Sequence, residues 1–380
     1  MKQIVIYRTE LLPASETFIA AQTAALKKYS PWFAGLKRLP DGLPLDPGCV
    51  LSLTKENLLK DKLRRRFYLR TGVAPDFHRS LRDLRPSLIH AHFAVDACVA
   101  LPLKRTLQVP LVVTLHGYDV TRSDDTFRQT VFGRIYLERR NTMLREASLF
   151  LCVSEHIRGR ALERGYPVEK LAMLPIGIEL PENDAVVERE PIVLFVGRMV
   201  EKKGCIHLLR AMERVEAILP ASRLILLGDG PLRTELERYA FTRLRNVTFL
   251  GMRPQCEVRN WMRRARVLAA PSIVGGDGDS EGLPIVLCEA QARGLPAVSC
   301  YGPGVNEAVV ENQTALLVPQ RDEQALSKAI LRLMTEPALH RELAEAGRQR
   351  AANLFDIQKQ TALLEDRYDE VVSRFAWIRK

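Results

Sequence analysis

Short apolar, β-branched runs alternate with amphipathic stretches along nearly the whole chain. The apolar runs predict strands at residues 3–7, 88–92, 111–115, 149–153 and 171–174. A second series is predicted at 192–196, 223–227, 247–250, 267–270, 297–299 and 315–318. Helical spacing predicts helices between them, among them 16–28, 204–219, 232–239, 285–292 and 323–335. Strand–helix alternation of this kind implies parallel sheets covered on both faces.

The alternation breaks at a polar, Pro-flanked stretch from Pro181 to Pro191, which reads as a linker. The expected class is therefore α/β, with two Rossmann-like parallel-sheet domains facing across a cleft. The domains are predicted at 1–183 and 184–357. A terminal helix, 358–380, carries Tyr368, Phe375 and Trp377 and is expected to cross back onto the first domain. Ligands of open α/β sheets bind beyond the carboxyl ends of the strands, so the residues just after each strand become the candidates.

A length of 380 residues fits two cores better than one. No apolar run approaches a membrane span, and the opening Met1–Arg8 is too short an apolar stretch for a signal peptide. Seven scattered cysteines without a C-x-x-C pair argue against a disulfide framework or a zinc site, and for a reducing cytosol. The net charge of +11 attracts anionic partners. Its local maximum is 55–70, where Lys55, Lys60, Lys62, Arg64, Arg65, Arg66 and Arg70 are interleaved with Leu58, Leu59, Leu63, Phe67 and Leu69. Such a segment suits an anionic membrane surface, although a solvated helix face reads the same way. No aromatic–basic platform supports a nucleic-acid partner.

The run Ser280-Glu281-Gly282-Leu283-Pro284-Ile285-Val286-Leu287-Cys288-Glu289-Ala290 sets two carboxylates eight positions apart. Pro284 suits the first turn of a helix, with Glu281 in the loop ahead and Glu289 inside. A rise of ~1.5 Å per residue separates the acids by roughly 10–12 Å. They suit two ends of one elongated ligand, with helix-start amides between them for an anion. By itself the pair reads equally as scattered surface acids. Gly197-Arg198 and Lys203 follow the 192–196 strand, where two cations can neutralise a diphosphate. Gly228 and Gly230 form another strand-to-helix turn without a full nucleotide fingerprint. His116 ends the 111–115 strand beside Gly117 and can offer a neutral nitrogen to a ligand. His90 and His92 are assigned to opposite faces of one strand, and without a third ligand they make no metal site. Ser15 is expected to cap the helix after Pro13-Ala14, near the end of the first strand. Asp277-Gly278-Asp279 has the form of a divalent-ion loop, but Arg198 and Lys203 already offer neutralisation, so no metal is expected.

Together these segments resemble the retaining GT-B glycosyltransferases of bacterial surface-polysaccharide synthesis, over nearly the whole chain. Pro271-Ser272 through Glu289-Ala290 looks like that family's E-x7-E signature. Gly197-Arg198 with Lys203-Gly204 looks like its diphosphate clamp, and Leu115-His116-Gly117 like its cleft histidine. Ser15-Glu16-Thr17-Phe18-Ile19 is similar to the opening of its colanic-acid and amylovoran-type members. The resemblance implies that Arg198, Lys203 and the backbone of Leu283, Pro284 and Ile285 bind the donor diphosphate, and that Glu289 binds the ribose. Glu281 then lies by the transferred sugar and His116 near the reacting carbon. It further implies retention of configuration, front-face attack and no divalent metal. Pro13-Ala14-Ser15 departs from the family's Gly-Gly loop, and Tyr301-Gly302-Pro303-Gly304-Val305-Asn306-Glu307 from its Gly-Gly-x-x-Glu run.

The expected function is transfer of a hexose from a nucleotide diphosphate sugar to a lipid-linked oligosaccharide in exopolysaccharide, capsule or lipopolysaccharide synthesis. The place expected for it is the cytoplasm, peripheral at the inner face of the membrane. A nucleotide-sugar epimerase of the same fold and a non-catalytic sugar-nucleotide-binding scaffold are the alternatives.

Overall fold

The computed structural model describes residues 1–56, 58–181 and 188–378. The chain divides into one compact unit of Met1–Gly177 with Ile357–Lys380, and another of Ile178–Asp356. The predicted division at 183/184 falls in 182–187, outside the described residues. No helix among the described residues is long and apolar enough to cross a membrane, and all seven cysteines are free thiols.

The first unit holds β1 (Lys2–Tyr7), β2 (Glu10–Leu11), β3 (Tyr29–Arg38), β4 (Val50–Thr54), β5 (Ile89–His92), β6 (Leu111–Leu115), β7 (Leu149–Cys152) and β8 (Leu171–Met173). Their order is β2-β3-β1-β5-β6-β7-β8, with β4 also on β3, and every pairing is parallel. Strands of a parallel sheet are buried on both faces, which is why β6 reads as an unbroken Leu-Val-Val-Thr-Leu run and all five residues are buried. β3 is not legible from pattern, because Pro31 and Gly35 interrupt it. Pro31 lies where β3 has only β1 as a neighbour, and there a missing N–H is tolerated.

The helix expected at 16–28 spans only Thr17–Ala24. A long-range contact ends it. One carboxylate oxygen of Glu365 accepts the backbone N–H groups of Lys27 (2.8 Å), Lys28 (2.5 Å) and Tyr29 (3.3 Å), so these amides serve the turn into β3. Glu365 belongs to the final helix, Ile357–Ile378, whose Leu364, Tyr368 and Val371 pack with Ile4, Ile6 and Tyr29. Tyr368 is fully buried, whereas Trp377 is 77% exposed.

The second unit holds β9 (Glu190–Val196), β10 (Arg223–Leu227), β11 (Val247–Gly251), β12 (Ala265–Ala270), β13 (Ala297–Cys300) and β14 (Ala315–Val318). The order is β11-β10-β9-β12-β13-β14, all parallel. The winding reverses between β9 and β12. In such sheets the crevice at the reversal is where ligands sit. The corresponding reversal in the first unit lies between β1 and β5.

Candidate active site

In the second unit the loops after β9 and β12 flank the reversal, and they carry the predicted residues. Lys203 closes the first loop and Glu281 lies in the second. Their side chains meet, with Nζ to Oε1 at 2.5 Å. Ser272, just after β12, donates its hydroxyl to the same oxygen at 2.9 Å. Burial alone would raise the Glu281 carboxyl, but Lys203, Lys202 and the Ser272 bond outweigh it and hold it at about 2. Glu281 is thus held in its ionised, hydrogen-bond-accepting form near neutral pH.

The pair also makes a stability prediction. The folded value of about 2 lies below the ordinary 4.5. Its contribution, about 3 kcal/mol, is complete above pH 4.5 and is lost as pH falls towards 2. Urea melts across that range should show the loss in the wild type and little of it in Glu281→Gln. Equal pH slopes in both would count against the buried pair.

The surrounding loops are locked together by backbone contacts. A Cβ on Gly228 (φ 127°) would stand 2.0 Å from the Gly197 carbonyl, and only glycine fits. Met199 N–H bonds to Asp229 O at 2.9 Å, and Ile273 N–H to Lys202 O at 2.8 Å. A Cβ on Gly304 (φ 71°) would stand 2.4 Å from the Gly282 carbonyl, so the loop after β13 backs directly onto Glu281-Gly282. The Lys203 side chain runs beside Gly197. Arg198, in the same loop, is exposed and makes no ion pair among the described residues, leaving its guanidinium available to an anion.

The helix Ile285–Ala292 has its predicted bounds, but Pro284 is its cap residue rather than its first turn. Proline has no N–H, so the backbone donors here are Leu283, Ile285 and Val286, and the anion role predicted for Pro284 is withdrawn. Glu289, inside this helix, accepts a hydrogen bond from Gln255 Nε2 at 2.6 Å, and burial pushes its carboxyl upward. In the acidic loop Asp279 pairs with Lys202 at 3.0 Å, and Asp277 accepts the Asp279 N–H at 3.0 Å. No cluster of three metal-ligating groups occurs among the described residues.

In the first unit, the edge at the β1/β5 reversal is also charged. Arg8, directly after β1, bonds Glu16 at 2.5 and 2.8 Å and pairs with Asp96. Asp96 also accepts the Thr9 N–H at 2.7 Å. This overturns the Ser15 cap. The helix starts at Thr17 with Glu16 in the cap position, the Glu16 side chain is taken by Arg8, and Ser15 is exposed. Phe93 has φ 74° and ψ 139°, a conformation rare outside glycine, and its ring lies 4.6 Å from that of His116. Phe18 flanks His116 from another side at 5.0 Å. His116 Nε2 and His92 Nδ1 share a hydrogen bond of 3.0 Å. Burial, with Arg8 and His90, keeps His116 well below the usual histidine range, so the ring is neutral. Its Nδ1 is buried without a partner among the described residues.

The assignment of His90 and His92 to opposite faces fails. Residues two apart on a strand share a face, and the two rings lie 4.3 Å apart. His90 is structural, bonded to Tyr368 OH (2.5 Å) and Thr114 Oγ1 (2.7 Å). Sequence reading gives no role to Ser272, Lys202 or Gln255, and names His92 without its contact to His116. Ser272 and Lys202 stand inside or beside quoted motifs, while Gln255 carries no local signal.

Residues 178–350 match the family described as glycosyl transferases group 1, and residues 42–181 match glycosyltransferase family 4. The putative colanic acid biosynthesis glycosyltransferase WcaL of Escherichia coli is 29% identical over 65% of this chain and 61% of its own length. Its Salmonella typhimurium counterpart is 31% identical over 62% of this chain, which thus spans about three fifths (59%) of that relative. The amylovoran biosynthesis glycosyltransferase AmsK of Erwinia amylovora is 28% identical over 70% of each chain. Among solved structures, Anabaena HepE in complex with UDP and glucose matches 97% of this chain and 100% of its own, with a TM-score of 0.75 and 18% identity. The pneumococcal O-GlcNAc transferase GtfA in complex with UDP and GlcNAc matches 98% and 99%, with a TM-score of 0.75 and 14% identity. With two parallel-sheet α/β units, the second matched by the group 1 glycosyl transferase family and most of the first by glycosyltransferase family 4, the chain has the GT-B glycosyltransferase fold.

Proposed function

We propose that this chain is a retaining glycosyltransferase that moves a hexose from a nucleotide diphosphate sugar to a lipid-linked oligosaccharide during synthesis of a surface polysaccharide. The reading rests on the direct contact of Lys203 with Glu281 at the β9/β12 reversal. In a sugar nucleotide the anomeric carbon is one oxygen away from the β-phosphorus. A cation for the phosphate and an acceptor for the sugar hydroxyls must therefore be neighbours. Glu289, further along the following helix, is then placed for the ribose. The HepE structures solved with UDP and UDP-glucose support a nucleotide-sugar donor.

As the anomeric C–O bond lengthens, negative charge gathers on the departing diphosphate. Arg198, Lys203 and the amides of Leu283, Ile285 and Val286 offset that charge. Glu281 stays ionised and only accepts hydrogen bonds, so it does not protonate the leaving group. The acceptor oxygen bonds to the anomeric carbon on the face from which the diphosphate departs, the departing diphosphate oxygen takes the acceptor hydroxyl's proton, and configuration is retained. Neutral His116 offers a hydrogen bond to the sugar. These cations do a metal's electrostatic work, so turnover should be unchanged by EDTA; a rate restored only by added Mg²⁺ would refute that part.

The lipid-linked acceptor places the work peripherally at the inner face of a membrane. The test is purified protein with a panel of sugar nucleotides, with and without membrane extract. The expected result is nucleotide release that requires the extract, and a product whose anomeric configuration by NMR equals the donor's. Free epimerised sugar nucleotide, or binding without turnover, would replace this reading.

A further inference from the structure

The helix Leu59–Thr71 in the first unit is held from behind and bare in front. Its buried side carries Asp61 and Tyr68. The Tyr68 hydroxyl donates to Val99 O at 3.3 Å, and its ring meets Phe77 edge-on. Arg65 on the same side donates to Thr54 Oγ1 at 2.8 Å. The outward side carries Leu59, Leu63 and Phe67, one turn apart in a single row, which are 73%, 59% and 56% exposed. Leu58 and Val73 extend the apolar row past either end at 48% and 50%.

Projection at 100° per residue sets Lys62 and Arg66 on one flank of this row, Lys60 and Arg64 on the other, and Arg70 at its C-terminal end. All five are exposed, and none forms an ion pair among the described residues. A solvated face would hold no apolar row. A nucleic-acid face would have phosphates for the cations and nothing for the leucines. A bilayer of anionic lipid satisfies both at once, with phosphates for the two cationic rows and an acyl boundary for the row between them.

We propose that this face docks on an anionic lipid surface, lying flat along about 20 Å of helix, with Leu59, Leu63 and Phe67 immersed below the headgroups and the cations on lipid phosphates at either side. The proposal is independent of the glycosyl-transfer reading, and each can fail without the other.

The test is flotation of the whole protein with vesicles of phosphatidylcholine plus phosphatidylglycerol, and of phosphatidylcholine alone. The wild type should float with the anionic vesicles and retain part of that binding in molar salt. The triple variant Leu59→Ser, Leu63→Ser, Phe67→Ser should keep the wild-type melting temperature, since these side chains are exposed, and lose about tenfold or more in vesicle affinity. Its residual binding should vanish in molar salt. The separate variant Phe67→Trp should show a blue shift of indole emission with anionic vesicles only. Unaltered affinity in the triple variant, no emission shift in Phe67→Trp, or tighter binding to duplex DNA than to vesicles would each overturn the proposal.

Discussion

Replacing Lys203 with Ala should lower kcat/KM for transfer by about a hundredfold to a thousandfold. The removal of one preorganised donor from a site of developing charge typically costs that much. In Lys203→Ala the buried Glu281 carboxylate also loses its cation, so some stability is lost as well. The paired variant Glu281→Gln separates the two effects. Gln keeps the volume and can still meet Ser272, so the variant should fold, with stability at neutral pH lowered by up to the contribution of the ion pair, while transfer falls on a similar scale. Steady-state kinetics and a melting curve on both variants check this. Near-wild-type kcat/KM in Glu281→Gln would remove Glu281 from the reaction and leave the ion pair a structural one.

Arg8→Met should be the most destabilising single change in the first unit. Arg8 is 7% exposed and answers two carboxylates, Glu16 and Asp96, both largely buried. Removal of the shared cation leaves two charges in a poorly solvated place, which typically costs about 3–5 kcal/mol. Burial already raises both carboxyls, Asp96 and Glu16, despite Arg8. Without Arg8 they should rise further and bind protons nearer neutrality. The variant should therefore recover part of its lost stability as pH is lowered from 7 towards 5, a trend opposite in sign to that of the Glu281 pair. Urea melts at the two pH values are the check. A loss below about 1 kcal/mol, or one independent of pH, would mean that the triad contributes little.

Local pattern is enough for much of the fold. Leu111–Leu115, Arg223–Leu227, Ile285–Ala292, Ala315–Val318 and Glu323–Thr335 have the bounds that periodicity sets. In each, burial of the same residues that make the pattern also makes the element. What escapes depends on partners distant in sequence. The first long helix stops at Ala24 because Glu365, more than 330 residues away, takes the next amides. β3 forms despite Pro31 and Gly35 because β1 pairs with its first part, Tyr29–Ala34, and β4 with the part from Phe33 to Lys37.

The candidate site divides in the same way. Glu281, Glu289, Arg198, Lys203 and His116 stand at strand ends and within runs that single them out. Their partners do not: Gln255 reaches Glu289 from another helix, and His92 reaches His116 from the next strand. Ser15 misleads because a hydroxyl before a helix suggests a cap, whereas a buried Arg8 across the loop draws in Glu16 instead. Pro284 stands one residue ahead of its expected place, as the cap, and having no N–H it is a donor at neither position, whereas its neighbours keep theirs.

Calorimetric titration of the intact protein with nucleoside diphosphates tests the donor site most directly. The account predicts that one of them binds, and that Lys203→Ala and Glu289→Ala each weaken binding about tenfold to a hundredfold, the value of one charge-assisted contact. Binding of equal strength in the wild type and both variants, or no binding by any nucleoside diphosphate, would contradict it.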